Sequence, residues 1–205
     1  MVFAVGGRPR RAMDCRREPH IFFSFVLIMT TKRSGEAFEN GMALTVVGRQ
    51  LRTGDRAPAF TLESLQAGAP FTHAVSLDES AGTTRVLHVV NSVDTPVCHI
   101  GGQRWDALQQ DLPPNTRVYT ISMDLPFGQL RWREANGVSH EALSAHKDDS
   151  FGVNYGVLLD EWRLLQRAVF VIDKAGTIQY AEYVADQMQE PNYDAAVSVA
   201  KTLAS

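Results

Sequence analysis

Cysteine is scarce in this chain: 205 residues hold two, Cys15 and Cys98. That excludes a disulfide framework or a cysteine-built zinc site and fits a reducing compartment, so a cytoplasmic location is expected. Long apolar runs are also lacking. The segment Ile21-Phe22-Phe23-Ser24-Phe25-Val26-Leu27-Ile28-Met29 falls far short of the ~20 apolar residues a membrane-spanning helix needs. Charge of one sign is not in large excess. The net charge is -3, with no clustered basic stripe to suggest nucleic acid as a partner. His73, His88, His99, His140 and His146 show no metal-ligand spacing, and no Gly-rich dinucleotide fingerprint or Gly-x-Ser-x-Gly elbow is present. Neither a metal nor a cofactor is therefore expected. What remains is ordinary for one sizeable globular core, with 44% apolar residues.

The N-terminal segment differs from the rest. Arg8, Arg10, Arg11, Arg16 and Arg17 stand against Asp14 and Glu18, a local +3 that leaves -6 for the remainder. An arginine-rich stretch before an apolar one resembles a secretory signal, yet Thr30-Thr31-Lys32-Arg33-Ser34-Gly35 offers no small-x-small cleavage site. The reading adopted takes residues 1–41 as an extension, disordered or upstream of a start at Met29, and residues 42–205 as the domain.

Within that domain, Leu44-Thr45-Val46-Val47 and Gln50-Leu51 flank Gly48-Arg49 as an N-terminal hairpin. A short strand is expected at 60–62 and an edge strand at 71–77, with Asp78 capping a brief helical turn. The run Arg85-Val86-Leu87-His88-Val89-Val90 reads as a buried central strand. A helix over 96–110, a strand over 118–123 and a helix over 126–136 closed by Gly137 follow. Short helical turns surround 151–155. A hairpin over 167–183 turns at Asp173-Lys174-Ala175-Gly176, and a terminal helix opens at Asn192. Alternating strands and helices with a closing hairpin predict an α/β domain of thioredoxin-like type, a central mixed sheet flanked by helices.

Cys98 lies where the central strand gives way to a helix. A free thiol with a pKa of about 8.5 is only slightly ionised at neutral pH, and the thiolate is the nucleophile. The first turn of a helix, marked here by Pro96, stabilises a negative sulfur through its unpaired N–H groups. Thr95 offers a hydroxyl, and Arg167 a permanent positive charge at the start of a neighbouring strand. A buried, inert cysteine with a snorkelling arginine accounts for the same residues. Cys98-His99-Ile100-Gly101-Gly102-Gln103-Arg104 also matches the C-x-x-G-x-x-R loop of cysteine-dependent phosphatases, in which Cys98 would attack phosphorus and Arg104 hold the oxygens. That loop has His before the cysteine and Ser or Thr after the arginine, whereas Val97 and Trp105 occupy those positions. Gly101-Gly102 inside a helix costs about 1 kcal/mol per glycine relative to alanine. The pair is expected either to let the first turn unwind or to admit a closely packed neighbour.

Five segments together resemble the bacterial thiol peroxidases, peroxiredoxins of the atypical two-cysteine kind. They are Ser92-Val93-Asp94-Thr95-Pro96-Val97-Cys98, Ser122-Met123-Asp124-Leu125-Pro126-Phe127, Ser150-Phe151-Gly152, Arg163-Leu164-Leu165-Gln166-Arg167-Ala168-Val169-Phe170-Val171-Ile172-Asp173, and Pro191-Asn192-Tyr193. The resemblance implies reduction of hydrogen peroxide and alkyl hydroperoxides by a homodimer. Cys98 would be the peroxidatic cysteine that becomes a sulfenic acid. Thr95 would hydrogen-bond the substrate and Arg167 would stabilise the thiolate and polarise the leaving oxygen. Met123 and Phe127 would line the pocket. Two departures stand out. Arg133 occupies the position of the family's resolving cysteine, so an external thiol, thioredoxin or a low-molecular-weight thiol, is expected to recycle Cys98 unless Cys15 does. Asn91 replaces the proline seven residues before the cysteine. A non-enzymatic redox sensor of the same fold is the alternative.

Overall fold

The computed structural model describes residues 31–203, apart from the side chains of Cys98 and His99. The arginine-rich segment, Cys15 and Met29 lie outside the described residues.

Seven strands form the main sheet in the order β11-β10-β5-β6-β7-β3-β4. Its centre is β5 (Thr84–Val89), parallel to β6 (Thr116–Ser122), which is in turn parallel to β7 (Glu141–Ser144). On the other side of β5 runs β10 (Ala168–Ile172), antiparallel and followed by the hairpin strand β11 (Ile178–Tyr183). Strands β3 (Thr61–Ser64) and β4 (His73–Ser76) close the far edge. Helices α1 (Pro96–Gln109) and α2 (Pro126–Asn136) make the two parallel crossovers, α3 (Ser150–Asn154) is a single turn, and α4 (Tyr193–Thr202) ends the chain. Among the described residues no helix is long and apolar enough to cross a membrane.

The period-two alternation of the strands divides the core. Leu87 and Val89 of β5 join Tyr119, Ile121, Leu143 and Phe170 on one face. Val86, with Val118, Val169 and Val171, faces Trp105 of α1 and Tyr193, Ala196 and Ala200 of α4 on the other. Every residue of β5 is buried. Gly137 ends α2 in the left-handed conformation (φ 64°), as the sequence indicated.

Three expectations are corrected. The N-terminal hairpin is not built around Gly48-Arg49. Strand β1 (Lys32–Glu39) pairs antiparallel with β2 (Met42–Val47) around Asn40-Gly41. Both turn residues have positive φ (48° and 79°), the geometry for which Asn-Gly is preferred. The folded unit therefore begins before residue 42, the boundary expected from the sequence. The charged composition of Lys32–Glu39 concealed a strand with one buried apolar residue, Ala37. Gly48 (φ 101°) serves a close crossing instead, since a Cβ there would lie 2.0 Å from the Val153 carbonyl oxygen. Strands β1 and β2 continue into a second small sheet through β8 (Leu158–Leu159) and β9 (Leu164–Leu165). Lastly, Ser76 rather than Asp78 caps the 3₁₀ turn Leu77–Ser80, its N–H donating to Glu79 Oε1 at 3.0 Å.

The glycine pair in α1 is a packing device. A Cβ on Gly102 would lie 2.2 Å from Trp132 Cζ2 of α2, and one on Gly101 would lie 2.8 Å from the Tyr193 hydroxyl and 3.2 Å from His88 Nε2. Gly102→Ala is therefore expected to destabilise the protein by about 1–3 kcal/mol through overpacking, despite alanine's better helix propensity. Urea unfolding measures this, and a stabilised variant would show that α2 yields at this contact.

Beneath α1 runs a buried polar chain. His88 Nδ1 meets Thr120 Oγ1 at 3.3 Å, and Thr120 Oγ1 meets His140 Nε2 at 2.8 Å. Asp106 of α1 accepts from the backbone N–H groups of Ser139 and His140. Burial holds His88 well below the ordinary histidine pKa and pushes His140 from 6.5 down to about 4. Unfolded histidine therefore binds a proton between pH 6.5 and 4 that folded His140 refuses. Its stabilising effect is complete above pH 6.5 and is lost as pH falls toward 4, by about 3 kcal/mol. His140→Gln should flatten the acid limb of a stability-against-pH curve, and an unchanged limb would place the titration elsewhere.

Candidate active site

The backbone of Cys98 lies in the first turn of α1, with Pro96 opening the helix and Thr95 at its N-cap position. The segment leading into it is fixed by Asp124 at the β6–α2 junction. Its Oδ1 accepts from Ser92 Oγ at 2.7 Å, and its Oδ2 accepts from the Val93 N–H at 2.8 Å and Ser122 Oγ at 2.7 Å. Gln129 Nε2 donates to Ser122 Oγ and to the Leu143 carbonyl, both at 2.9 Å, which ties the junction to β7. Thr95 folds back on the same turn. Its N–H and hydroxyl both donate to the Ser92 carbonyl, at 3.2 and 3.1 Å. With its proton directed to Ser92, the hydroxyl keeps oxygen lone pairs to offer an incoming O–H.

Arg167 is among the most deeply buried large side chains, 1% exposed, and does not snorkel to solvent. Its Nη2 donates to Asn91 Oδ1 at 3.2 Å and to the Gln187 carbonyl at 3.0 Å. Asn91 Nδ2 in turn donates to the Leu165 carbonyl at 2.7 Å and to Gln187 Oε1 at 3.0 Å. Gln187 Oε1 also accepts the Arg167 backbone N–H at 2.9 Å. Asn91, the departure from proline noted in the sequence, is thus an acceptor that fixes the guanidinium. The hairpin supports the same network. Phe38 of β1 exchanges backbone hydrogen bonds with Ala185 (2.7 Å) and Gln187 (2.8 Å), holding the loop that presents Gln187.

Thr95 and Arg167 line one pocket of about 340 Å³, together with Pro96, Val97, Asn91 and Gln187. Trp162, Leu164 and Met188 supply an apolar wall and Glu39 an acidic one. Thr95 and Arg167, named from the sequence, share this pocket with Gln187, Trp162 and Met188, which sit on loops without periodicity and carry no signal in the sequence. The sequence singles out the neighbours of Asp124 rather than Asp124 itself. Met123 and Phe127, expected in the pocket, do not line it. Met123 packs against the main core cluster, and Phe127 is 56% exposed on the first turn of α2.

Arg104 does not serve the phosphatase pattern. Its Nη1 pairs with Glu190 Oε2 at 3.0 Å, and its guanidinium lies 4.4 Å from the centre of the Tyr193 ring. About one and a half turns of α1 separate it from the first turn, so the ion pair and the stacked ring account for this arginine. Arg133 donates from Nη2 to the Ser139 carbonyl at 3.1 Å, bracing the end of α2. The described residues hold no cluster of His, Cys, Asp or Glu able to bind a metal.

Comparison with known proteins agrees with this architecture. The model of the AhpC/TSA family matches residues 53–181. The thiol peroxidase of Bacillus subtilis is 42% identical over 166 residues, 80% of this chain and 95% of that protein. That of Streptococcus sanguinis is 42% identical over 164 residues, 80% of this chain and 97% of that protein. The crystal structure of a peroxiredoxin-like protein from Aquifex aeolicus superposes with a TM-score of 0.72 at 31% identity, covering 83% of this chain and 97% of that one. The thioredoxin-like sheet is shared, and the likeness extends over nearly the whole length of these relatives; the chain belongs to the AhpC/TSA family and is a thiol-dependent peroxidase, a peroxiredoxin.

Proposed function

We propose that Cys98 is the peroxidatic cysteine of a one-cysteine cycle that reduces hydrogen peroxide and organic hydroperoxides. The convergence of Thr95 and Arg167 on one pocket, against the helix turn that carries Cys98, is the observation that supports this reading. The Cys98 thiolate attacks the terminal oxygen of the hydroperoxide. An S–O bond forms, the O–O bond breaks, and the alkoxide leaves as an alcohol after taking a proton, so that Cys98 becomes a sulfenic acid. Thr95 accepts the peroxide O–H and orients it, while the Arg167 guanidinium stabilises both the thiolate and the departing oxygen.

Arg133 stands where the family's resolving cysteine would be, so reduction falls to an external thiol, thioredoxin or a small thiol. Its sulfur attacks the sulfenic acid, releasing water and leaving a mixed disulfide. A second thiol then frees Cys98. The trio Trp162, Leu164 and Met188 suits an alkyl hydroperoxide. We assign the working form to a cytoplasmic homodimer.

The test is one equivalent of peroxide added to the full chain, followed by intact mass with and without thiols. A gain of one oxygen at Cys98, converted by thiol to a mixed disulfide, supports the cycle. A Cys15–Cys98 bridge overturns it. Oxidation without turnover under supplied thiol leaves the non-enzymatic redox sensor, which the lack of a resolving cysteine at Arg133 favours.

A further inference from the structure

The most exceptional charge outside the peroxide pocket lies at the opposite end of the same strand. Arg85, second residue of β5, is 2% exposed. It shares the face of Leu87 and Val89 by strand alternation. Its Nη1 donates to the Thr83 carbonyl at 2.5 Å, while its enclosed Nε has no hydrogen-bond partner among the described residues. Asp173 exerts the strongest attraction on it, but from a distance. That carboxylate is committed elsewhere, accepting from the N–H groups of Ala175 and Thr177, both at 2.9 Å, and from Gln179 Nε2 at 2.7 Å. A guanidinium stays ionised in such surroundings, and a buried charge without a close counter-ion is costly.

Arg85 lines a cleft of about 450 Å³ with Arg56, Lys174 and Asp78. Arg56 is steadied by donation from its Nη1 to the Ala175 carbonyl at 2.8 Å. Three cations face one carboxylate over a floor provided by Ala57, Pro58 and Leu77. A concave site of this charge concentrates anions. We propose that this cleft binds a phosphate oxyanion, free or as a phosphomonoester. The lining carries two positive charges in excess, which a dianionic phosphate would neutralise and a single carboxylate would not. Guanidinium groups match phosphate oxygens in pairs. The volume falls within the range of small-molecule sites and exceeds that of the bare ion, so it admits an organic remainder. Arg85 and Asn91 are six residues apart along an extended chain, roughly 20 Å, so the cleft and the peroxide pocket are separate.

Calorimetric titration of the full chain with inorganic phosphate, and separately with ribose 5-phosphate, tests this at ionic strength held constant with sodium chloride. Saturable binding of one equivalent is expected, weakened about tenfold in Arg85→Gln and about threefold in Arg56→Gln and Lys174→Gln. Peroxide turnover should stay unchanged in Lys174→Gln and in the presence of phosphate. Lys174 is exposed, so its variant carries the test if Arg85→Gln fails to fold. Equal affinity for the two probes assigns the free ion, and tighter binding of the sugar phosphate assigns the ester. No saturable heat with either probe overturns the proposal. So does undiminished affinity in Lys174→Gln, or competition between phosphate and peroxide, which would move the anion to Arg167.

Discussion

Cys98→Ser is expected to lose peroxide turnover by about 10³-fold or more while leaving the fold intact. A serine hydroxyl does not ionise at neutral pH and is a poor nucleophile toward peroxide oxygen, so no covalent intermediate forms. Losses of that order follow when a nucleophile is removed, because the remaining groups then have nothing to assist. The change alters one atom in the first turn of α1, whose geometry is held from outside by Asp124 through Ser92 and Val93. Far-ultraviolet circular dichroism and the urea midpoint should therefore match the parent. Thiol-coupled peroxide consumption is the measurement, and retention of more than a few per cent of the parent rate would remove Cys98 from the reaction. Cys15→Ser is the companion variant. It should turn over normally if an external thiol resolves Cys98, and a loss of recycling would assign that step to Cys15.

Arg167→Gln should slow oxidation of Cys98 by about 10²–10³-fold, the usual consequence of removing one charge-stabilising donor from a water-poor site. The guanidinium is held by Asn91 Oδ1 and the Gln187 carbonyl, so its loss also leaves buried acceptors to be satisfied. Each one left unpaired costs about 1–3 kcal/mol. Arg167→Lys restores the charge without the planar fork and should recover only part of the rate. A purely structural role for Arg167 predicts lower stability with an unaltered thiol. The reading favoured here predicts that the pH profile of Cys98 alkylation moves to higher pH, because the thiolate has lost its counter-charge. An unmoved profile in a folded Arg167→Gln protein would reject it.

The sequence-to-structure relation differs from element to element. Helices α1, α2 and α4 and the hairpin of β10 and β11 carried their own local signals: Pro96 at a helix start, Gly137 in the left-handed region, Asn192 accepting from the Ala195 N–H at 3.0 Å, and a Gly-containing turn. Strand β1 carried almost none. Lys32–Glu39 is charged and pairs with β2 across a bulge between Ser34 and Ala37. It is a strand because β2 and the 185–187 backbone offer it hydrogen bonds, not because of its composition. Asn40-Gly41 is itself a hairpin signal, but the charged residues before it lack the alternation of a strand.

The site divides in the same way. Cys98, Thr95 and Pro96 are neighbours in the chain, so their co-location at a helix start follows from local sequence. The association of Arg167 with Asn91 and Gln187 spans 76 and 20 residues, and no periodicity announces it. Sequence alone determined the fold class and the family, and it placed a cysteine at a helix start, since these depend on residue identity and short-range spacing. Tertiary structure alone decided that Asn91 grips the arginine, that Met123 and Phe127 stand aside, and that residues 32–39 support the pocket, because side-chain direction and long-range pairing are settled only when strands register and buried polar groups find their partners.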